Sequence, residues 1–198
     1  YYLFLDRFPT VNDLAKANED EVLKLWQGLG YYSRARNLHK AAKVVTTMHN
    51  GVFPSSFKEL LALPGIGPYT ASAIASFCYE EPKAVLDGNV FRVLARYFDV
   101  DIPINLPKGT RYFQDLAQSL IDVKKPSIYN QAIMEFGALH CTPKQPLCNT
   151  CPLENKCQSK AKNTIALRPQ KIKAKPVKHR FFHYLVPFDN GQNTLLDK

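Results

Sequence analysis

Apolar residues recur along most of this chain at spacings of three and four, the period of helices that bury one face. Thr10 and Asn18 are good N-cap residues, the latter with Glu21 three positions on as a variant capping box. Val22, Leu23, Leu25 and Trp26 follow, and Gly28 and Gly30 stop the run. A longer helix is predicted over 33–49, with Leu38, Ala41, Ala42, Val45 and Met48 on one stripe and Gly51 as terminator. Ser56 with Glu59 opens a short helix through Leu61, and Pro68 starts the next at a position that tolerates proline. Further helices are predicted at about 88–98, 108–122 and 127–140. Beyond Ala161 the pattern gives way to a polar, basic linker holding Pro169 and Pro176, and residues 181–186 read as a single strand that opens another domain. The pattern therefore predicts an all-α body, without repeats of the solenoid kind.

Composition adds bounds. In 198 residues, 45% hydrophobic and 22% charged, a sizeable core can form, and no stretch nears the ~20 apolar residues of a membrane span. The net charge is +9, but residues 161–198 carry eight Lys/Arg against two Asp/Glu, so +6 lies there and +3 on residues 1–160. Bulk charge is thus weak support for a polyanionic partner. The opening Tyr1-Tyr2-Leu3-Phe4-Leu5 reads as mid-helix, with neither an initiator Met nor a signal-peptide pattern, so a preceding segment is expected. Cysteine usage changes the picture most. Four of five cysteines, Cys141, Cys148, Cys151 and Cys157, follow the spacing C-x6-C-x2-C-x5-C. An odd total with four in one array points to a reducing compartment and a metal site, not to disulfides. Four thiolates suit either an iron–sulfur cluster or an all-cysteine zinc site. His140 is expected to be a packing neighbour, and Cys78, after the apolar run 71–77, a small buried hydrophobe.

Three further motifs carry candidate chemistry. In Leu63-Pro64-Gly65-Ile66-Gly67 the glycines permit positive φ, and the amides of the turn and the next helix can cradle a phosphate. Such contacts position a protein on DNA without reading its sequence; the plain alternative is a tight turn. Leu63 and Ile66 are expected to pin this hairpin to the core. Asp87, in Leu86-Asp87-Gly88-Asn89-Val90, reads as the N-cap of the next helix, whose amides also favour a charged carboxylate. Glu80 and Glu81, before Pro82, are expected on solvated surface. Tyr31 and Tyr32 leave a glycine-flanked loop with Arg34 and Arg36 just beyond. An aromatic so placed can enter a base stack, or simply staple a helix.

The hairpin, an Asp about twenty residues later and the four-cysteine loop together resemble the endonuclease III superfamily of helix-hairpin-helix DNA glycosylases. Within it, residues 28–38 and Asn130-Gln131-Ala132-Ile133-Met134-Glu135-Phe136-Gly137-Ala138 resemble the MutY adenine glycosylases, with Glu135 where Asp is more usual. The match covers roughly residues 1–160. The resemblance implies a helical-barrel lobe with the hairpin at 1–84, an iron–sulfur lobe at 85–160, and a basic linker with the start of a further domain at 161–198. It implies hydrolysis of the adenine N-glycosidic bond opposite 8-oxoguanine or guanine in double-stranded DNA, by a monomer working on the bacterial nucleoid or in the nucleus. Asp87 would stabilise the positive sugar, with Asn89 beside it. Tyr69 stands where lyases of the superfamily carry a lysine, which implies a monofunctional glycosylase. Tyr31 would be the wedge beside the damaged guanine, with Leu29 nearby; Arg34, Gly65, Ile66, Gly67 and Lys144 would face the DNA. Cys141, Cys148, Cys151 and Cys157 would hold a [4Fe–4S] cluster. The family's glutamate proton donor lies in an N-terminal helix with no match in these residues, so the chain as written is expected not to excise adenine at a normal rate. The alternatives are a pyrimidine-lesion glycosylase/lyase and a non-catalytic DNA-binding iron–sulfur module.

Overall fold

A computed structural model describes residues 1–173 and 180–182. The predicted helices are present: α1 (Tyr2–Arg7), α2 (Val11–Lys16), α3 (Glu19–Leu25), α4 (Ser33–Met48), α5 (Phe57–Leu61), α6 (Pro68–Tyr79), α7 (Gly88–Tyr97), α8 (Pro107–Leu120) and α9 (Pro126–Leu139); a short helix that was not predicted, α10 (Gln158–Ala161), follows the last cysteine. Short 3-10 turns punctuate the cysteine loop, and no strand occurs among the described residues. The strand expected over 181–186 lies outside them from residue 183 onward. No described helix is long and apolar enough to cross a membrane.

Proline occupies the first turn of α6, α8 and α9, where its missing N–H costs nothing. The capping box, however, belongs to Thr10 and Asp13, not to Asn18 and Glu21. Asn18 caps α3 through the Asp20 amide alone, while Glu21 pairs with Arg7 of α1. The α4 stripe also differs from the expected one. Its buried face holds Ala35, His39, Ala41, Ala42 and Val45, whereas Leu38 and Met48 are exposed.

Among the described residues, three apolar clusters form the core. Phe8, Leu14, Val22, Ala35 and Ala42 join α1 to α4, with Phe4 and Trp26 packed alongside. Val45, Leu60, Leu63, Ala71 and Ala75 join α4 to α5 and α6, with Ile66 against them. Leu63 and Ile66 thus pin the hairpin as expected. Val90, Leu94, Ala95, Phe113, Ala117 and Ile121 unite α7 and α8, with Ile133 and Met134 of α9 packed on them. Cys78, expected to be buried, is exposed: it lies in the last turn of α6, past the final buried pair Ala75 and Ser76.

Between α6 and α7 the chain runs extended without a partner strand, so its backbone groups need side-chain partners. Asn130 of α9 accepts from the Val85 amide (3.0 Å) and donates to the Lys83 carbonyl (2.9 Å). Gln118 of α8 accepts from the Ala84 amide (3.1 Å) and donates to the Pro82 carbonyl (2.8 Å). Of the two acids that open this arm, Glu80 is exposed as expected, whereas Glu81 is half-buried and engaged. Glu81 accepts from the Phe57 amide at 2.6 Å, fastening the arm to the start of α5, and Glu80 accepts from Ser127 at 3.5 Å.

Candidate active site and cysteine cavity

Asp87 ends this arm and is the N-cap of α7. Its Oδ1 accepts from the Val90 amide at 2.8 Å and its Oδ2 from the Asn89 side-chain amide at 3.0 Å. Capping and presentation of a fixed carboxylate are therefore one geometry, because the amides that end the helix also hold the side chain. Asn89 is oriented in turn: its Oδ1 accepts from Arg92 Nη2 at 2.7 Å.

Arg92 and Arg96 were not legible as site residues. Both lie on the face of α7 that Asn89 begins, three and seven positions on, and both are buried. Arg92 donates to the carbonyls of Gly137 (2.6 Å) and Cys141 (2.7 Å), so one guanidinium spans from the Asn89–Asp87 pair to the first cysteine. Burial lowers its pKa, the negative charges of Cys141 and Asp87 acting in the opposite sense. Arg96 donates to the carbonyls of Thr142 (2.7 Å), Pro143 (2.9 Å), Ile165 and Arg168, and reaches Cys141 Sγ at 3.5 Å. In sequence, arginines on a helix read as solvated; only the packing of α9 and the cysteine loop over α7 buries them.

The structure brings Cys141, Cys148, Cys151 and Cys157 together around one cavity of about 30 Å³, walled by Val93, Tyr97, Phe136 and His140. His140 stacks on Phe136 (5.2 Å, 14°), as a packing neighbour does. Among the described residues no three His, Cys, Asp or Glu side chains converge as the ligands of a single ion. Burial, and then the charges of Cys141, Cys157 and Cys151, push the Cys148 thiol up. Four cysteines lining one cavity are a donor set that suits either an iron–sulfur cluster or an all-cysteine zinc site.

The remaining expected residues are distributed over the surface. Gly65 (φ +77°) turns the hairpin, and a methyl group there would lie 2.5 Å from Asn37 Cβ; Gly67 caps α6 with open space beside it. Ile66 is half-buried beneath the turn. Tyr69 is exposed on the first turn of α6 and, among the described residues, shares no hydrogen bond with Asp87. Leu29 and Tyr31 lie on the loop before α4 with Arg34 beside them in the first turn of α4, and Lys144 is exposed on the cysteine loop.

Residues 1–116 match the model of the HhH-GPD superfamily of base excision DNA repair proteins. The adenine DNA glycosylase of Buchnera aphidicola subsp. Baizongia pistaciae is 40% identical over 169 residues, covering 83% of this chain and 46% of that protein. That of Homo sapiens is 43% identical over 162 residues, covering 81% of this chain and 30% of that protein. The chain therefore spans less than half the length of these two relatives. Among solved structures, a thermostable thymine-DNA glycosylase superposes with a TM-score of 0.75 at 30% identity, covering 82% of this chain and 75% of that one. A non-covalent endonuclease III–DNA complex gives 0.69 at 25% identity with the same coverage.

Proposed function

The chain belongs to the HhH-GPD superfamily of base excision DNA repair proteins, and from that premise we propose that it forms part of an adenine DNA glycosylase acting on adenine opposite 8-oxoguanine or guanine. The observation that carries this reading is the Asp87 carboxylate, fixed between the Val90 amide and the Asn89 side chain. Breaking an N-glycosidic bond builds positive charge on the sugar, and a carboxylate held in place beforehand stabilises that charge without reorganising. Asn89 keeps the carboxylate aimed, and Arg92 keeps Asn89 aimed. Tyr69, on the first turn of α6, offers a hydroxyl and no amine, which disfavours the Schiff-base chemistry of a lyase. It supports a monofunctional hydrolase with Tyr69 lining the site.

The partner is double-stranded DNA. Gly65, Ile66 and Gly67 present the hairpin amides to phosphate, Lys144 adds a cation on the cysteine loop, and Leu29 and Tyr31 project toward the stack opposite the extruded base. Cys141, Cys148, Cys151 and Cys157 would hold a [4Fe–4S] cluster, which supplies a structural cross-link of the loop and no bond-breaking chemistry. Beside it Arg96 ties the loop to α7 through backbone carbonyls.

The test is Asp87→Asn in the intact protein, with single-turnover release of adenine from an adenine–8-oxoguanine duplex. The isosteric amide keeps the cap but loses the charge, so the rate falls by about 10²- to 10³-fold while DNA binding persists. An unchanged rate removes Asp87 from the mechanism.

A further inference from the structure

The loop that carries Tyr31 is held in an unusual conformation. Gly28 (φ 88°), Gly30 (φ 64°) and Tyr31 (φ 48°) all lie in the left-handed region, where a bulky residue such as tyrosine rarely sits unless its surroundings hold it. Tyr31 is also 82% exposed, so no core packing keeps it there. What holds it is a pair of side chains from the flanking helices. Trp26 Nε1 donates to the Gly30 carbonyl at 3.2 Å, and Arg34 Nη2 donates to the Leu29 carbonyl at 3.2 Å. The Arg34 amide donates to the Tyr31 carbonyl at 2.9 Å. Three successive carbonyls are thereby tied by two residues. The Arg34 guanidinium lies 5.5 Å from the Tyr31 ring centroid and 5.7 Å from that of Trp26, within cation–π range of both. Trp26 is anchored on the first core cluster and meets Phe4 edge-on.

We infer that Arg34 is the positioning residue of Tyr31: stacked on Trp26 and Tyr31 and bonded to Leu29, it sets the direction of the tyrosine before DNA arrives. This inference rests on the proposed wedge role of Tyr31. It assigns Arg34 a duty inside the loop in place of a contact to phosphate, and Arg36 is likewise committed, to Glu19 at 3.2 Å. Only a planar guanidinium stacks on one ring, leans on a second and still reaches a carbonyl; a lysine ammonium offers a point charge on a flexible stem. A wedge fixed before binding spends no ordering entropy on encounter, which favours interrogation of many base pairs.

The two duties separate experimentally in the intact protein on a duplex carrying 2-aminopurine beside 8-oxoguanine. For wild type, R34A, R34K and Y31A, the fluorescence rise on binding reports unstacking, and the slope of log Kd against log salt counts phosphate contacts. R34A and R34K both reduce the rise about fivefold toward the Y31A value, with an unchanged salt slope. A slope lower by about one in R34A and restored in R34K makes Arg34 a phosphate contact and overturns the inference. A full rise in R34A overturns it too. A full rise in Y31A instead rejects the wedge. Arg34 is then judged in the free protein by Trp26 emission, taken as the difference from Trp26→Phe: a change on R34A supports its hold on the loop, and an unchanged emission refutes it.

Discussion

Single residues show how far chemistry can hide behind ordinary sequence. Asp99 reads as one more surface acid after α7, yet its side chain is buried among Thr164, Ser159, Arg168 and Lys162. The Thr164 hydroxyl donates to it at 2.7 Å, Arg168 pairs with it at 2.9 Å and Lys162 at 3.2 Å. The Thr164 hydrogen bond above all, with help from the two cations, lowers its pKa below the ordinary aspartate value. A lowered carboxylate pKa stabilises the fold above the unfolded value, and that contribution disappears as the pH falls through the folded one. The thermal midpoint should therefore decline as the pH drops below the ordinary aspartate range, and Asp99→Asn should lower the midpoint at neutral pH and flatten that acid decline. Equal slopes in both proteins would show that the cluster of partners adds nothing. Asp87 was readable because a motif surrounds it; Asp99 was not, because its partners come from about sixty residues farther along the chain.

At the scale of elements, the contact between α7 and α9 decides the site. A methyl group at Gly137 would stand 2.7 Å from Asn89 Cβ and 3.0 Å from the Asn89 carbonyl oxygen, so the helices meet there with only hydrogen between them. Gly137→Ala must push Asn89 away from Asp87 or part the helices. Under the proposed function, adenine release by the intact protein should fall by about tenfold or more, with a stability loss of about 1–3 kcal/mol from overpacking. Single-turnover assays beside thermal unfolding check it, and a variant with normal release would show that the close approach is dispensable. Helix existence and ends were largely readable, since caps, prolines and the 3.6 period are local signals. The faces were less so: His39 replaces Leu38 on the buried side of α4, because the stripe follows neighbours that the local pattern does not name.

For the whole molecule, the cysteine loop closes over α7, and Arg96 and the sulfurs share its enclosure. Protein isolated without chelator should contain iron and inorganic sulfide and absorb in the visible; stripping the metal should lower the thermal midpoint by several degrees, as loss of a structural metal does. Zinc without visible absorption would reject the cluster. The sequence by itself determined the helices, the four-cysteine array, the hairpin turn and the acid at the start of α7, because each is a local pattern or a spacing. It also determined the superfamily, through motifs whose residues stand close together in the chain. The tertiary structure decided what surrounds them: that Arg92 joins Asn89 to Cys141, that Asn130 and Gln118 support the arm bearing Asp87, and that Arg34 turns inward onto Trp26 and Tyr31. These depend on groups distant in sequence whose burial and hydrogen bonds arise only when the helices pack.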